Sequence, residues 1–286
     1  VNARIPALLG LVRGLPAATY HADPDSVSNG MLTAMNDSPA HCHALYLDPQ
    51  RPARESTDAQ TLGTLAHTFI LEPDTVATRY AFKPRGMNFA TKEGKAWRDE
   101  QTREIVSQDN ADAAGAMVAA VKRVRVLSDL LASGEAETSV FSIDPVTGLR
   151  RRTRPDWLHW TGKDRCVALD IKTIHELTPD AVQRAIGTYA YHRQAAHYTA
   201  ALQENGIDVE AFVFGFVSST YPYIACAYVL DDETAALGRD EVAELMDRFA
   251  TCKREGFWPA LGDGYQLTGL PTWAKRGSEV EVEIVQ

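Results

Sequence analysis

The sequence predicts an α/β domain in which a mostly helical N-terminal part precedes a sheet core. Two observations carry this. Apolar residues recur at helical spacing up to about residue 131 and at a period of two from about residue 137 onward. The strand-like runs are then interrupted by one long helical stretch, which suggests a parallel crossover at the sheet centre. The chain has 286 residues, 45% hydrophobic and 23% charged, the composition of a globular protein with a sizeable core. Residues 1–286 read as a single domain. Its helical part covers about 20–131, its sheet core about 135–230, and a last helix with a tail about 231–286.

The elements follow in order. "SVSNGMLTAMNDSPAHCHALYLD" reads as a helix capped by Ser26 or Ser28 and stopped near Ser38-Pro39, then a short second helix. "DAQTLGTLAHTFILEPD" is a third helix, with Leu62, Leu65, Phe69 and Ile70 on one face, His67 in its middle and Pro73 at its end. From Thr91 to Leu131 the pattern is helical throughout. "ETSVFSI" and "LRRRTRPDWLHW" flank the turn-forming "DPVTG" and predict an antiparallel hairpin. "RCVALDI" is apolar enough for a central strand. The stretch from Thr178 to Asn205-Gly206 predicts one long helical region with a threonine cap and a glycine stop. "DVEAFVFGFVSS" and "YIACAYVL" are two further strands, and Glu233 to Arg254 the last helix. The tail "FWPALGDGYQLTGLPTWAKRG" is loop-like and aromatic.

Charge and cysteine usage narrow the classes. The formal net charge is −9, which argues against a chain coated in basic residues for nucleic-acid binding. The distribution is uneven. Arg79, Lys83, Arg85, Lys92, Lys95, Arg98 and Arg103 face only Glu93, Asp99 and Glu100 within the same stretch, while the C-terminal third is acidic. A basic groove on an acidic body, or a plain solvated face, fits this. Cys42, Cys166, Cys226 and Cys252 form no CxxC pair, which argues against zinc and iron–sulfur sites. Cys166 and Cys226 read as buried thiols, and a reducing, cytoplasmic setting is expected. No apolar run approaches the ~18–20 residues of a membrane span, and Val1–Gly14 lacks the basic start and clean apolar core of a signal peptide.

The chemistry concentrates around "RPDWLHWTGKDRCVALDIKT". Pro155 has no N–H and restricts Arg154, so strand pairing weakens just before Asp156. Asp170 and Lys172 are two apart on a strand and share a face, while Ile171 points into the core. If the two strands are neighbours, two carboxylates and an ammonium converge. Close carboxylates repel unless a cation sits between them, and Mg²⁺ prefers such oxygen ligands. A lysine there orients the attacking water or stabilises developing charge. The bland alternative is a surface ion pair, because D-x-K is common by chance.

Pro155-Asp156 with Asp170-Ile171-Lys172 resembles the PD-(D/E)xK nuclease signature. "TLGTLAHTFILEPD" resembles the histidine helix of the RecB-like and RecE-like branch, and "AETSVFSIDPVTGLRRRTRPD" its acid-headed hairpin. Gln194 and Tyr198 in "YHRQAAHYTAAL" match its Q-x-x-x-Y. "YHADPDSVSNGML" and "WPALGDGYQLTGLPTWAKR" resemble the RecE-type exonuclease (exodeoxyribonuclease VIII) nuclease domain, so the likeness runs from Tyr20 to Arg276.

The resemblance implies a restriction-endonuclease-like PD-(D/E)xK core with a central mixed sheet flanked by helices. It implies that His67, Asp156 and Asp170 are metal ligands together with the Ile171 carbonyl, and that Lys172 is the catalytic lysine. Glu137 would lie near the metal, through water or on a second ion. Gln194 and Tyr198, one helical turn apart, would line the site or the DNA strand, and Thr173 would add a hydroxyl behind it. Arg152 and Arg154 share the side of Asp156 and would meet DNA phosphates. Arg151 faces the other way, as a solvated edge or interface residue. Trp157, Trp160 and Tyr191 suit either base stacking or core packing. The implied cofactor is Mg²⁺, and the imidazole also admits Mn²⁺.

The implied activity is 5′-to-3′ digestion of linear double-stranded DNA from its ends. Its 3′ overhangs would pass to a RecT-like single-strand annealing protein. The implied assembly is a homo-oligomeric ring, with a tetramer favoured and no membrane association. An endonuclease of the same fold and a non-catalytic DNA-binding module are the alternatives. Helicase-associated nucleases with a four-cysteine iron–sulfur cluster do not fit these cysteine positions. "HCH" at His41–His43 and the pair His192 and His197 have the wrong spacing for zinc. "GMNFATKEGKA" is no P-loop, and no G-x-S-x-G elbow is present.

Overall fold

A computed structural model of the chain describes residues 8–52, 58–262, 264–265 and 267–270. The sequence similarity noted for residues 271–276 lies outside these. The N-terminal part opens with strand β1 (Gly10–Val12), helix α1 (Ala17–His21) and strand β2 (Ser26–Val27). Helix α2 (Asn29–Asp37) follows, its first turn capped by the Ser28 hydroxyl, which accepts from Met31 N–H. Ser38 ends α2 and caps the short α3 (Pro39–Cys42), as the Ser-Pro pair predicts. Helix α4 (Asp58–Leu71) carries His67, and the short α5 (Val76–Arg79) leads into strand β3 (Tyr80–Lys83).

The continuous helical pattern expected over Thr91–Leu131 is corrected here. Helix α6 (Lys92–Asp99) is followed by strand β4 (Glu104–Ser107), and only then by α7 (Gln108–Arg123) and α8 (Arg125–Leu131). Strand β4 pairs in parallel with β3 from Tyr80↔Glu104 to Lys83↔Ser107. A four-residue strand shows too little periodicity to announce itself, and its partner lies more than twenty residues back.

The sheet core contains β5 (Glu135–Ala136), β6 (Ser139–Ile143), β7 (Arg150–Thr153), β8 (Trp157–Gly162) and β9 (Arg165–Ile174). The predicted hairpin is present, with Val140↔Thr153 to Ile143↔Arg150 antiparallel. Its second strand does not run on to Trp160, however. Pro155 has no N–H to give, and the chain changes sheets at Arg154-Pro155-Asp156. Strand β7 stays beside β6, whereas β8 pairs antiparallel with β9.

Helices α9 (Pro179–Thr188) and α10 (Tyr191–Gln203) replace the single long helix expected between Thr178 and Gly206. The Thr178 cap is present, but Ala190 adopts φ +52°, the left-handed region, and breaks the run. Strands β10 (Asp208–Ser218) and β11 (Ala225–Val229) and helix α11 (Asp232–Glu255) complete the fold.

Among the described residues the strands form a five-stranded sheet ordered β11-β10-β9-β8-β5, a four-stranded sheet ordered β1-β6-β7-β2, and the β3-β4 pair. Strands β9 and β10 are parallel and their other neighbours antiparallel, so the central sheet is mixed, with α9 and α10 supplying the crossover. Alternation along β9 assigns its faces. Leu169 and Ile171 pack with α4, α7 and α8, while Cys166 and Ala168 pack with α9 and α10. A third apolar cluster joins α2 to α11. Trp157 and Trp160 pack against these cores, and Tyr191 stacks on Phe214 with centroids 5.6 Å apart, so the packing reading holds for all three. Cys226 is half-buried rather than buried, and all four cysteines are free thiols.

Arg151 also differs from expectation. It is buried, with an ion pair to Asp144, a second to Glu204 at 3.1 Å and a contact to His197 Nδ1 at 3.2 Å. The four-arginine run is thus largely internal. Arg150 and Arg152 bind Asp23, through its carboxylate and its carbonyl respectively. Arg154 donates to Ser139 Oγ at 2.6 Å and to Leu15 O at 2.9 Å. Three of the four arginines therefore clasp the segment before β2.

Candidate active site

The site forms where β8 frays. The register pairs Trp157 with Leu169, so one step further Asp156 stands opposite Asp170, the arrangement in which like charges repel across a sheet. Asp156 Oδ2 is held by the Ile171 N–H at 2.6 Å, and His67 Nδ1 lies 3.3 Å from the same oxygen. Helix α4 belongs to the other face of the sheet and comes close to β9 because residue 63 is glycine. A Cβ there would stand 3.2 Å from Thr173 Oγ1, which places Thr173 behind the site against the His67 helix.

Glu137 sits between β5 and β6 at φ +51°, a conformation that costs a non-glycine residue roughly 1 kcal/mol. Its N–H donates to Asp156 O at 3.0 Å, locking the two acids together. Ligand atoms of His67, Glu137 and Asp156 all lie within 4.8 Å of one another. Burial, then the Asp156 charge, pushes the Glu137 carboxyl up to about 8. Asp156 is also pushed up, by burial and by Asp170. Crowded, desolvated carboxylates beside an imidazole are a donor set that fits a divalent cation.

Asp170 is buried and contacted on both oxygens, Oδ1 by an ion pair alone. Its Oδ1 meets Lys172 Nζ at 2.5 Å, and its Oδ2 accepts from Gln194 Nε2 at 2.6 Å. Burial opposes the Lys172 ammonium, but Asp170 and Asp156 outweigh it and hold its pKa above the ordinary value. Lys172 Nζ also lies 4.7 Å over the Tyr191 ring. Tyr198, one turn after Gln194, packs edge-on against Phe212 and stays protonated because burial raises its pKa well above the usual.

Two adjoining cavities meet at the site. One, of about 580 Å³, is lined by His67, Glu72, Arg79, Glu137 and Arg154 among others. The second, of about 950 Å³, is lined by Tyr20, Tyr46, Arg152, Arg154, Glu137 and Tyr198 among others. Ala17, Glu137 and Arg154 border both. The fold therefore brings together His67, Glu137, Asp156, Asp170, Lys172, Gln194 and Tyr198. Arg152 lies at the edge of the second cavity with its guanidinium turned inward, over Tyr20 at 5.4 Å. Sequence reasoning gave Tyr20 no site role, read Arg79 only as part of a basic stretch and Tyr191 only as a stacking or packing ring; their places beside the site depend on partners far away in the chain.

This combination of a mixed sheet, a frayed Pro-Asp strand end and an Asp-x-Lys on the neighbouring strand defines a PD-(D/E)xK site on a restriction-endonuclease-like fold. Residues 26–267 match the model of the PDDEXK-like domain of unknown function (DUF3799), and the chain belongs to that family. The crystal structure of a "Putative exonuclease" from Eubacterium rectale has a similar fold. It superposes with a TM-score of 0.59 at 13% identity, over 92% of this chain and 97% of that one. A search of the curated proteins finds no match.

Proposed function

We propose that this protein is a Mg²⁺-dependent DNA exonuclease that digests linear duplex DNA from its 5′ ends and leaves 3′ overhangs. The observation that carries the reading is the His67, Glu137 and Asp156 donor group within 4.8 Å, directly beside the Asp170–Lys172 pair. Membership of a PDDEXK-like family, whose nucleases use divalent metals, supports it. His67, Glu137, Asp156 and Asp170 would hold Mg²⁺, with the Ile171 carbonyl as a further oxygen and Mn²⁺ as a substitute. The bound cation supplies positive charge against the scissile phosphate and the crowded carboxylates.

The chain's own residues supply the rest. Asp170 fixes the Lys172 ammonium, and the Gln194 amide fixes Asp170 in turn. Lys172 then presents N–H donors where the attacking oxygen and the developing phosphorane charge lie, in a buried setting that strengthens them. The Tyr198 hydroxyl and Arg154 face the strand in the second cavity. Thr173 holds the α4 contact, and Arg152 shapes the wall. In this proposal the enzyme works in the cytoplasm as a ring, a tetramer in the favoured form, and passes its product to a RecT-like annealing protein. A ring retains DNA by topology, which suits an acidic chain.

The test is digestion of one plasmid in closed circular and in linear form, with and without Mg²⁺. Nucleotide release from the linear form alone is expected. Equal cutting of closed circles would replace the exonuclease by an endonuclease on the same fold.

A further inference from the structure

We infer that the segment from Arg79 to Arg103 is a docking surface for the backbone of double-stranded DNA. The inference rests on the proposed nuclease activity only for what the surface feeds. Seven basic residues face three acidic ones in this stretch, whereas the remainder of the chain has 22 basic and 35 acidic residues. The segment is thus a local basic excess on a chain that is acidic overall, which favours a polyanion there.

The fold makes the segment a stiff arm. Helix α6 is capped by Thr91 Oγ1, which accepts from Gly94 N–H at 3.0 Å. A Cβ at Gly94 would stand 2.0 Å from Asn88 O, so helix and loop are packed backbone to backbone. Phe89 stacks on Trp97 with centroids 6.2 Å apart and lies under Lys83 Nζ at 4.6 Å. The arm is bolted to the His67 helix. Phe82 meets Phe69 edge-on at 6.2 Å, and Tyr80 Oη lies 3.2 Å from Thr68 Oγ1. Because Tyr80 pairs with Glu104, Arg79 and Arg103 stand side by side at the arm's root, where Arg79 borders the cavity containing His67.

The distribution of partners selects the groups free to bind. Arg85 is tied to Asp109 and Asp112, Arg79 to Glu72 and Arg98 to Asp99. Lys92 and Lys95 are exposed, three apart on one face of α6, and make no ion pair among the described residues. Single-strand binders need open aromatic rings for bases to stack on. Here the rings are closed on each other and beneath cations, which leaves point charges suited to the phosphates of a duplex.

The test is equilibrium binding of the full chain to a blunt 30-bp duplex in EDTA, where no hydrolysis is read, for wild type, K92Q/K95Q and K92R/K95R. Two lost phosphate contacts should make the slope of log K against log salt shallower by about 1.8 and weaken binding at 0.1 M salt by roughly ten- to sixty-fold. K92R/K95R should bind like wild type. An unchanged affinity and slope for K92Q/K95Q would overturn the inference. So would a loss confined to a single-stranded oligonucleotide of the same length. Duplex binding through these lysines by a chain that hydrolyses no DNA would sink the nuclease reading alone. Wild-type-like duplex binding by K92Q/K95Q, in a chain that hydrolyses DNA with Mg²⁺, would sink this inference alone.

Discussion

Replacing Arg151 with Met should destabilise the fold severely although the residue lies in what reads as a surface-like arginine run. Its side chain is 6% exposed and holds two carboxylates, Asp144 at 6% and Glu204 at 14%. Removing one member of a buried ion pair costs about 3–5 kcal/mol. Asp144 keeps the Thr147 N–H at 2.9 Å, which favours the lower end of that range. His197 Nδ1 loses its guanidinium partner at 3.2 Å, worth about 1 kcal/mol more. The sum is about 4 kcal/mol, or a Tm drop of roughly 10 °C for a chain of this size. Arg165→Met is the control. Arg165 is 58% exposed and its pairs to Asp208 and Glu210 lie on the surface, so about 0–1 kcal/mol is expected. Urea unfolding followed by circular dichroism reads both. If R151M stays within 1 kcal/mol of wild type, or matches R165M, the buried-network account is wrong.

Further outcomes follow from the same geometry. Asp170→Asn and Lys172→Ala should each lower DNA hydrolysis by about a thousandfold or more while leaving a folded protein; comparable rates by labelled-duplex assay would remove both from the site. Gly238→Ala should cost roughly 1–3 kcal/mol, because a Cβ there would stand 2.4 Å from His192 O where α11 crosses α10; an unchanged urea midpoint would refute that close contact. Burial, then Arg151, lowers the His197 pKa to about 3. The unfolded chain takes that proton near pH 6.5 while the folded one does not, so the unfolded state binds more protons between these values and stability falls as pH falls through that window. From pH 6.5 to 5 the loss is about 1.6 kcal/mol, and His197→Gln should show a correspondingly shallower pH dependence. Equal slopes would place His197 in contact with solvent.

Local signals carried the elements that depend on local chemistry. The Ser28 and Thr178 caps, the turn before β7 and the alternation of β9 and β10 all follow from residues within a few positions of each other. Asp156 and Lys172 were legible because Pro155 breaks a strand and a two-residue spacing fixes a face. What the sequence did not show depends on distant partners. The β3–β4 pair joins residues more than twenty apart, and Ala190 takes a left-handed turn with no glycine to mark it. The burial of Arg151 requires Asp144, Glu204 and His197 to converge from three elements. In the site, the role of Glu137 was open, and its placement within reach of His67 and Asp156 rests on a positive φ that no pattern announces.

The central claim is that the crowded acids, His67 and Lys172 form a metal-dependent hydrolytic centre acting at DNA ends. It is tested most directly with linear duplexes labelled at the 5′ or the 3′ end, incubated with Mg²⁺ or EDTA, for wild type and Asp170→Asn. The account predicts early release of the 5′ label by wild type in Mg²⁺, and none in EDTA or with Asp170→Asn. Release that is independent of Mg²⁺, or equal for the Asp170→Asn variant, would contradict it.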